Sequence, residues 1–189
     1  MQRVAKFYKV SFEQFQEGWT DTFGELAEQS LYDNLKLPVR ATAGSAGYDF
    51  FSPLTFSLAP GETIKIPTGI RADISEGWGL QCYPRSGLGF IFRLQLNNTV
   101  GIIDSDYFYS DNEGHIFAKI TNDSKEGKTL TVEVGQGYMQ GIFMPFVITV
   151  DDEVTAIRNG GFGSTNRYRK ELQTSFEGGN HYAVSGLSE

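Results

Sequence analysis

The sequence predicts an all-β fold, a barrel or sandwich of many short strands, with short helices confined to its N-terminal end. Three observations carry this reading. Apolar and polar residues alternate over short runs, which is the period of a half-buried strand. Gly, frequent at 22 residues, and Pro separate those runs. Strand-like and helix-like patterns do not alternate along the chain, as a parallel sheet with crossover helices would require. The 15 Phe and 9 Tyr add the bulky side chains that pleated surfaces favour.

Taken in order, residues 4–10 read as a short strand. Ser11-Phe12-Glu13-Gln14 then matches a capping box, and Thr22-Phe23-Gly24-Glu25 repeats it. The two boxes predict helices over 11–18 and 22–34, with Leu26, Leu31 and Leu35 as a stripe packing on the main body. Residues 1–35 therefore read as an appendage. After Pro38 the period becomes two. Leu54, Phe56 and Leu58 share one face, and Pro60-Gly61 suits a turn with φ > 0 at Gly61. Ile64 and Ile66, then Ile70, Ala72 and Ile74, then Trp78, Leu80 and Cys82 mark successive strands. Ile116, Ala118 and Ile120 mark another, ended by Asn122-Asp123-Ser124. Residues 130–134 precede a longer run, 138–150, that is apolar on both faces and so belongs at the centre of a sheet. Pro145 inside that run predicts a bulge or a register break. Residues 167–189 are polar with few apolar anchors, and read as a tail that is mobile or orders on a neighbour.

Composition narrows the function. A chain of 189 residues suits one domain with a substantial core. A formal net charge of −7 argues against non-specific binding to a nucleic-acid backbone, which needs clustered Lys and Arg. A small polyphosphate is still compatible, given a few placed arginines, backbone N–H groups and a divalent cation. Cys82 is the one cysteine, so no intrachain disulfide forms, which suits a reducing cytoplasmic interior. The first residues lack the apolar stretch of a signal peptide, and no run has the length of a membrane span. Cys82, His115 and His181 lack the spacing and number of zinc ligands, and His115 reads as structural.

Five clusters stand out. Gly44-Ser45-Ala46-Gly47-Tyr48-Asp49 lets backbone approach closely and puts a carboxylate at a strand start. In Tyr83-Pro84-Arg85-Ser86-Gly87-Leu88-Gly89, the Arg85 side chain, the Ser86 hydroxyl and the Gly87 N–H can cradle phosphate oxygens. Val100-Gly101-Ile102-Ile103-Asp104-Ser105-Asp106-Tyr107, with Asn98 just ahead, can form a strand-to-turn pocket. Its backbone would read a flat polar ring, its aromatic would stack, and its carboxylate would serve as a base. Gly135-Gln136-Gly137-Tyr138-Met139-Gln140 leads Gln140 into a strand. Arg158-Asn159-Gly160-Gly161-Phe162-Gly163-Ser164-Thr165 has the make-up of a flap that closes over a ligand. Each cluster alone also fits an ordinary turn.

Their order is specific. Residues 36–166 resemble the trimeric dUTP pyrophosphatase (dUTPase) family, which shares a superfamily with dCTP deaminases. The resemblance implies a jelly-roll-like β-barrel over 36–157, a glycine-rich C-terminal flap and tail over 158–189, and a homotrimer whose subunits share active sites. It implies hydrolysis of dUTP to dUMP and pyrophosphate, with Asp104 as the base that activates water. Gly101, Ile102 and Ile103 would read uracil through the main chain, supported by Asn98, and Tyr107 would stack under the deoxyribose and crowd its 2′ position. Arg85, Ser86 and Gly87 match phosphate contacts, and Gln140 a residue near the α-phosphate. Phe162 would cap the uracil, while Gly163 belongs to the flap motif and Ser164, Thr165 and Arg158 would hold the γ end. Mg²⁺ is expected on the phosphates, with Asp49 touching it through water. The implied partners are dUTP and copies of this chain, with neither nucleic acid nor membrane.

The chain departs from the family pattern in several places. One residue, Asn159, separates Arg158 from Gly160-Gly161 where the family has two, and Asn166 stands where a Gly is usual. Gln136 and Gly137 replace an acidic and basic pair. The turn 108–115 is long, and residues 1–35 are extra; either could touch another subunit or a separate partner. Two rivals follow from the resemblance. A dCTP deaminase, or a bifunctional relative, needs a Glu where Lys119 stands. A dUTPase-like regulatory protein would bind nucleotide without turnover, although the catalytic side chains are all present.

Overall fold

The computed structural model describes residues 2–156 and Arg158. In chain order the elements are β1 (Ala5–Lys9), α1 (Phe12–Phe23), α2 (Gln29–Asp33), β2 (Val39–Arg40), β3 (Tyr48–Phe51), β4 (Phe56–Leu58), β5 (Thr63–Pro67) and β6 (Ile70–Ile74). There follow β7 (Trp78–Pro84), α3 (Ser86–Phe92), β8 (Leu94–Leu96), β9 (Gly101–Ile103), a 3-10 turn (Ser105–Tyr109), β10 (Phe117–Asn122), β11 (Leu130–Val132) and β12 (Gly137–Pro145). The strands form four antiparallel sheets in a jelly-roll-like arrangement: β1-β6, β5-β10-β8, β11-β4, and the five-stranded β2-β3-β12-β7-β9.

Alternation sets the inner faces. Phe56 and Leu58, Ile70, Ala72 and Ile74, Leu80 and Cys82, and Ala118 and Ile120 all point into one core, which Phe50, Tyr138 and Met139 fill from the large sheet. A second, smaller core holds Val10, Phe15, Trp19, Ala27 and Leu35, and Leu54 packs against both. The N-terminal segment is thus tied to the body through β1, which pairs along β6 from Ala5 opposite Ile74 to Lys9 opposite Ile70. Gly69 makes the close approach of the two cores feasible. Its φ is +71°, and a Cβ there would lie 2.4 Å from Leu35 Cδ1.

Several local expectations are corrected. Ser11 does cap α1, accepting the Gln14 N–H at 3.1 Å, but the helix runs through residue 22 to Phe23. Thr22 is no cap, because its hydroxyl donates back to the Gly18 carbonyl at 2.8 Å and Gly24 ends the helix in the left-handed conformation. The second helix shrinks to α2, and Leu26 is exposed, leaving Leu31 and Leu35 to pack. β12 does stand at the centre of the five-stranded sheet, yet it stops at Pro145, paired with Trp78, and residues 146–148 are exposed. The register shift lies at Gly137/Met139 instead, where Gly137 leaves room for Arg85. A proline at the strand's last residue disturbs no inner rung of the ladder.

Candidate active site

Two groups of polar residues occupy opposite ends of the five-stranded sheet. The first gathers around β9, which pairs with β7 on one side and forms an edge of its sheet on the other. An antiparallel edge strand leaves some of its N–H and C=O groups without a ladder partner. Gly101 sits opposite Cys82, and a Cβ on it would lie 3.2 Å from Cys82 Cβ and 3.8 Å from Asn98 Nδ2, so the Asn98 amide borders the start of this strand. Asn98 belongs to a strained turn. Thr99 has φ +66°, unusual for a β-branched residue, and its N–H donates to the Leu96 carbonyl at 2.8 Å.

Asp104 follows β9 directly and leads into the 3-10 turn, with its carboxylate half exposed. Tyr107 is buried in that turn. Its hydroxyl donates to the His115 carbonyl at 2.9 Å and accepts from Asn112 Nδ2 at 2.7 Å. Burial pushes its phenol above the usual range, while Asn112 and Arg158 pull the other way. Arg158 lies over the same turn. It pairs with Asp104 through one terminal nitrogen and with Asp106 through Nε at 3.1 Å, and its guanidinium stands 5.9 Å from the Tyr107 ring. Phe162, Gly163, Ser164 and Thr165 lie outside the described residues, as does the tail 167–189.

The second group gathers where β3, β7 and β12 end together. Arg85 holds the N-cap position of α3, so Ser86 and Gly87 open a short helix rather than a simple turn. Arg85 Nε lies 3.3 Å from Asp49 Oδ1, and its NH1 donates to the Gly137 carbonyl at 3.4 Å. Gln140 pairs across with both Asp49 and Tyr83. A Cβ on Gly47 would come within 2.7 Å of Gln140 Oε1, so the small residue lets this amide fold in beside Asp49. Gln136 and Gly137 take other duties than an ion pair: Gln136 Oε1 accepts the Glu133 N–H at 3.0 Å and closes the turn between β11 and β12.

Register sets the distance between the groups. β9 runs from Gly101 opposite Cys82 to Ile103 opposite Leu80, so Asp104 leaves the sheet near Gly79 while Arg85 follows its other end. At about 3.3 Å per residue, roughly 20 Å of strand separates them. Within one chain the carboxylate and the arginine thus stand at opposite ends of the sheet. Among the described residues no three His, Cys, Asp or Glu side chains gather into a metal site. The lone carboxylate Asp49, already beside a guanidinium, suits a cation carried in on phosphate oxygens better than one held by the protein alone. Cys82 and His115 are buried, which raises the thiol to about 12 and lowers the imidazole to about 3.

Several residues of the site had no sequence signal. Arg71 sits where alternation points to solvent, yet it donates to the Phe108 carbonyl at 2.6 Å and stacks on the Phe108 ring. Asn112 and Glu113 read as turn residues and prove to hold Tyr107 and Ser11 respectively. Asp106 lies in the motif that follows β9, but its pairing with Arg158 comes from the fold.

A sequence model described as dUTPase matches residues 33–166. The deoxyuridine 5'-triphosphate nucleotidohydrolase of Lactococcus lactis strain IL1403 is 43% identical over 134 residues, spanning 69% of this chain and 88% of that protein. That of Tolumonas auensis is 38% identical over 152 residues, spanning 76% and 96%. Among solved structures, dUTPase from Streptococcus mutans aligns with TM-score 0.55 at 33% identity, covering 76% of this chain and 97% of its own. A dUTPase mutant from phage phi11 of S. aureus, described for the coordination of a structural Mg(II) ion, aligns with TM-score 0.56 at 20% identity over 82% and 98%; at that identity it attests the fold alone. With its fold, its five motifs and these relatives in agreement, the chain belongs to the dUTPase family.

Proposed function

We infer that the chain hydrolyses dUTP to dUMP and pyrophosphate, an activity that limits uracil in DNA and supplies dUMP for dTTP synthesis. The observation that carries this reading is the exposed edge of β9 running straight into Asp104 and the Tyr107 turn. Uracil offers acceptors at O2 and O4 and a donor at N3. Main-chain groups of Gly101, Ile102 and Ile103 complement that pattern, with the Asn98 amide beside them. Cytosine reverses the polarity at two of the three positions and would leave site groups unpaired, which discriminates strongly. The Tyr107 ring, held by its bonded hydroxyl, supplies a wall beneath the sugar that leaves no room for a 2′-hydroxyl.

In the reaction Asp104 accepts a proton from a water poised in line with the α-phosphorus, and pyrophosphate leaves. The arginine now paired with Asp104 and Asp106 would move to the phosphates as substrate enters, releasing the carboxylate for this task. Arg85, Ser86, the Gly87 N–H and Gln140 would hold the α and β phosphates, and Phe162, Gly163, Ser164 and Thr165 would close over base and γ-phosphate. Mg²⁺ supplies charge neutralisation when bound on the triphosphate, with Asp49 in water-mediated contact. The chemistry is then mostly positioning and electrostatic stabilisation.

The same reading includes a homotrimer with shared sites. The placement of Asp104 and Arg85 at opposite ends of the sheet supports sites completed by different copies. The apolar side chains Phe146, Val147, Ile148 and Val150, exposed beyond β12, supply surface for such contacts. For the deaminase alternative, Lys119 offers an ammonium where a carboxylate must shuttle a proton. The test is turnover of dUTP, UTP, dTTP and dCTP by wild type and Asp104→Asn. Hydrolysis of dUTP alone, lost in the variant, supports the reading. Brisk UTP cleavage would refute the role of Tyr107, and ammonia release from dCTP would favour a deaminase. Nucleotide binding without turnover would favour a regulator.

A further inference from the structure

The N-terminal segment and the long turn 108–115, the two largest departures from the family pattern, meet each other. The meeting takes place on the turn that carries Tyr107. Inside that turn the bonds are local. The Ser110 N–H donates to the Tyr107 carbonyl, the Glu113 N–H to Ser110, the His115 N–H to Asn112, and the Gly114 N–H to Asn112 Oδ1. Gly114, at φ +69°, lets the chain fold flat against Tyr107, since a Cβ would lie 2.7 Å from the Tyr107 carbonyl oxygen. These bonds shape the turn, but they do not seat it on the body.

Seating comes from outside. Phe108, the residue after Tyr107, lies between Arg71 of β6 and Tyr8 of β1. The guanidinium stacks 3.6 Å from its ring centre, and the Tyr8 ring packs at 5.7 Å. At the other shoulder, Glu113 receives the Ser11 hydroxyl at 2.6 Å and the Ser11 N–H at 2.8 Å. Its carboxylate therefore faces the positive end of α1, with Arg71 NH1 at 3.5 Å. Glu113 holds this post at φ +54°, a conformation few non-glycine residues adopt. Gly69 and Gly18 complete the seat: the Gly69 N–H donates to His115 Nε2 at 2.9 Å, and a Cβ on Gly18 would press on Phe117 and His115.

We propose that residues 5–23 act as a brace for the sugar-reading turn, and that Glu113, through Ser11, is a positioning residue that sets selection of deoxyribose over ribose. The proposal rests on the dUTP-hydrolase reading and names a specificity element of that same site. Loosening the brace lets the Tyr107 ring recede from the sugar, which admits a 2′-hydroxyl, while Asp104, at the junction where β9 leads into the turn, shifts less than Tyr107 does.

The test compares Glu113→Gln, Ser11→Ala and the double variant with wild type, and with Glu133→Gln as a distant control whose carboxylate binds Thr55. In E113Q the ratio of kcat/KM for dUTP to that for UTP falls about tenfold, with kcat on dUTP within about twofold of wild type. S11A lowers the ratio by about threefold, and the double variant by no more than E113Q, as coupling through one contact requires. Hydrogen exchange at the Ser110, Glu113 and His115 amides rises at least about tenfold in E113Q and not in E133Q. Should E113Q fail to fold, S11A carries both measurements. Wild-type exchange at these amides in a folded variant overturns the proposal, whether or not the chain turns over dUTP. Faster exchange with an unmoved dUTP/UTP ratio also overturns it, reducing the contact to stability alone. Lack of dUTP turnover by wild type counts instead against the hydrolase reading.

Discussion

The two ends of the five-stranded sheet are built differently. At the β9 end, Tyr107 and His115 are buried, and a chain of bonds runs from Asn112 through Tyr107 to the His115 backbone, then on through the imidazole to Gly69. At the β7–β12 end, Arg85 is half exposed and held by one ion pair and one long hydrogen bond, and Gln140 is only partly buried. The contrast matches what we propose each end recognises. Rejecting a single hydroxyl demands a wall that does not yield, because a pocket that gives by an ångström admits the extra atom. Phosphate is recognised by charge, which acts over several ångströms and tolerates a mobile partner. The first end therefore invests in burial, the second in reach.

The sharpest break of this comparison is chemical. Asp104→Asn should cut kcat on dUTP by about 10³ while affinity for a non-hydrolysable analogue stays within about threefold; kcat is read in steady state and affinity by calorimetry. Equal losses in both would mean that Asp104 binds rather than reacts.

Next in size is the pH dependence of stability. Burial holds the His115 imidazole at about 3 in the folded chain, against about 6.5 when free. Between these values the unfolded chain binds a proton that the native chain refuses. Stability is therefore full above about pH 6.5 and declines as pH falls toward 3, by something on the order of 4 kcal/mol in all. Urea unfolding at pH 7, 5 and 4 should show that decline, and a folded His115→Gln should flatten it. An equal slope in both would place the acid sensitivity in the carboxylates.

Two glycines set the rigid and the compliant end side by side. Gly114→Ala adds a Cβ against the Tyr107 and Phe108 backbone at a positive φ, and should cost about 3 kcal/mol by chemical denaturation. Gly47→Ala presses only on the far end of the Gln140 side chain, so its stability cost should stay below about 1 kcal/mol. Since Gln140 must swing away, dUTP turnover should fall more than stability does. Similar stability losses at the two positions would erase the distinction drawn between the ends.

Much of the scaffold was legible because strand alternation is a local code. Ile70, Ala72 and Ile74, or Leu80 and Cys82, announce their inner face with no knowledge of a partner strand. Helix ends were less legible. Thr22 and Glu25 have the spacing of a capping box, but Gly24 between them takes the left-handed turn that stops α1, and one residue's φ outweighed the pattern. The Pro145 expectation failed likewise, since the register shift sits where Gly137 yields space to Arg85, a residue far away in sequence. For the site, the ordered motifs identified which residues to watch; Asn98 borders Gly101, and Asp104 caps the turn that carries Tyr107. That Arg85, Gln140 and Asp49 form a separate group was invisible, because separation depends on pairing register.

The sequence by itself determined the all-β character, the inner faces of the strands, the cap at Ser11 and the family. Each of these is written in neighbours along the chain or in the order of short motifs, and needs no coordinates. Only the tertiary structure decided that Ser11 meets Glu113 across 102 positions, that Arg71 turns from solvent to Phe108, and that Asp104 and Arg85 stand at opposite ends of one sheet. The physical reason is common to all three: such contacts are chosen by how sheets register and cores close, and no residue carries that information within reach of its own backbone.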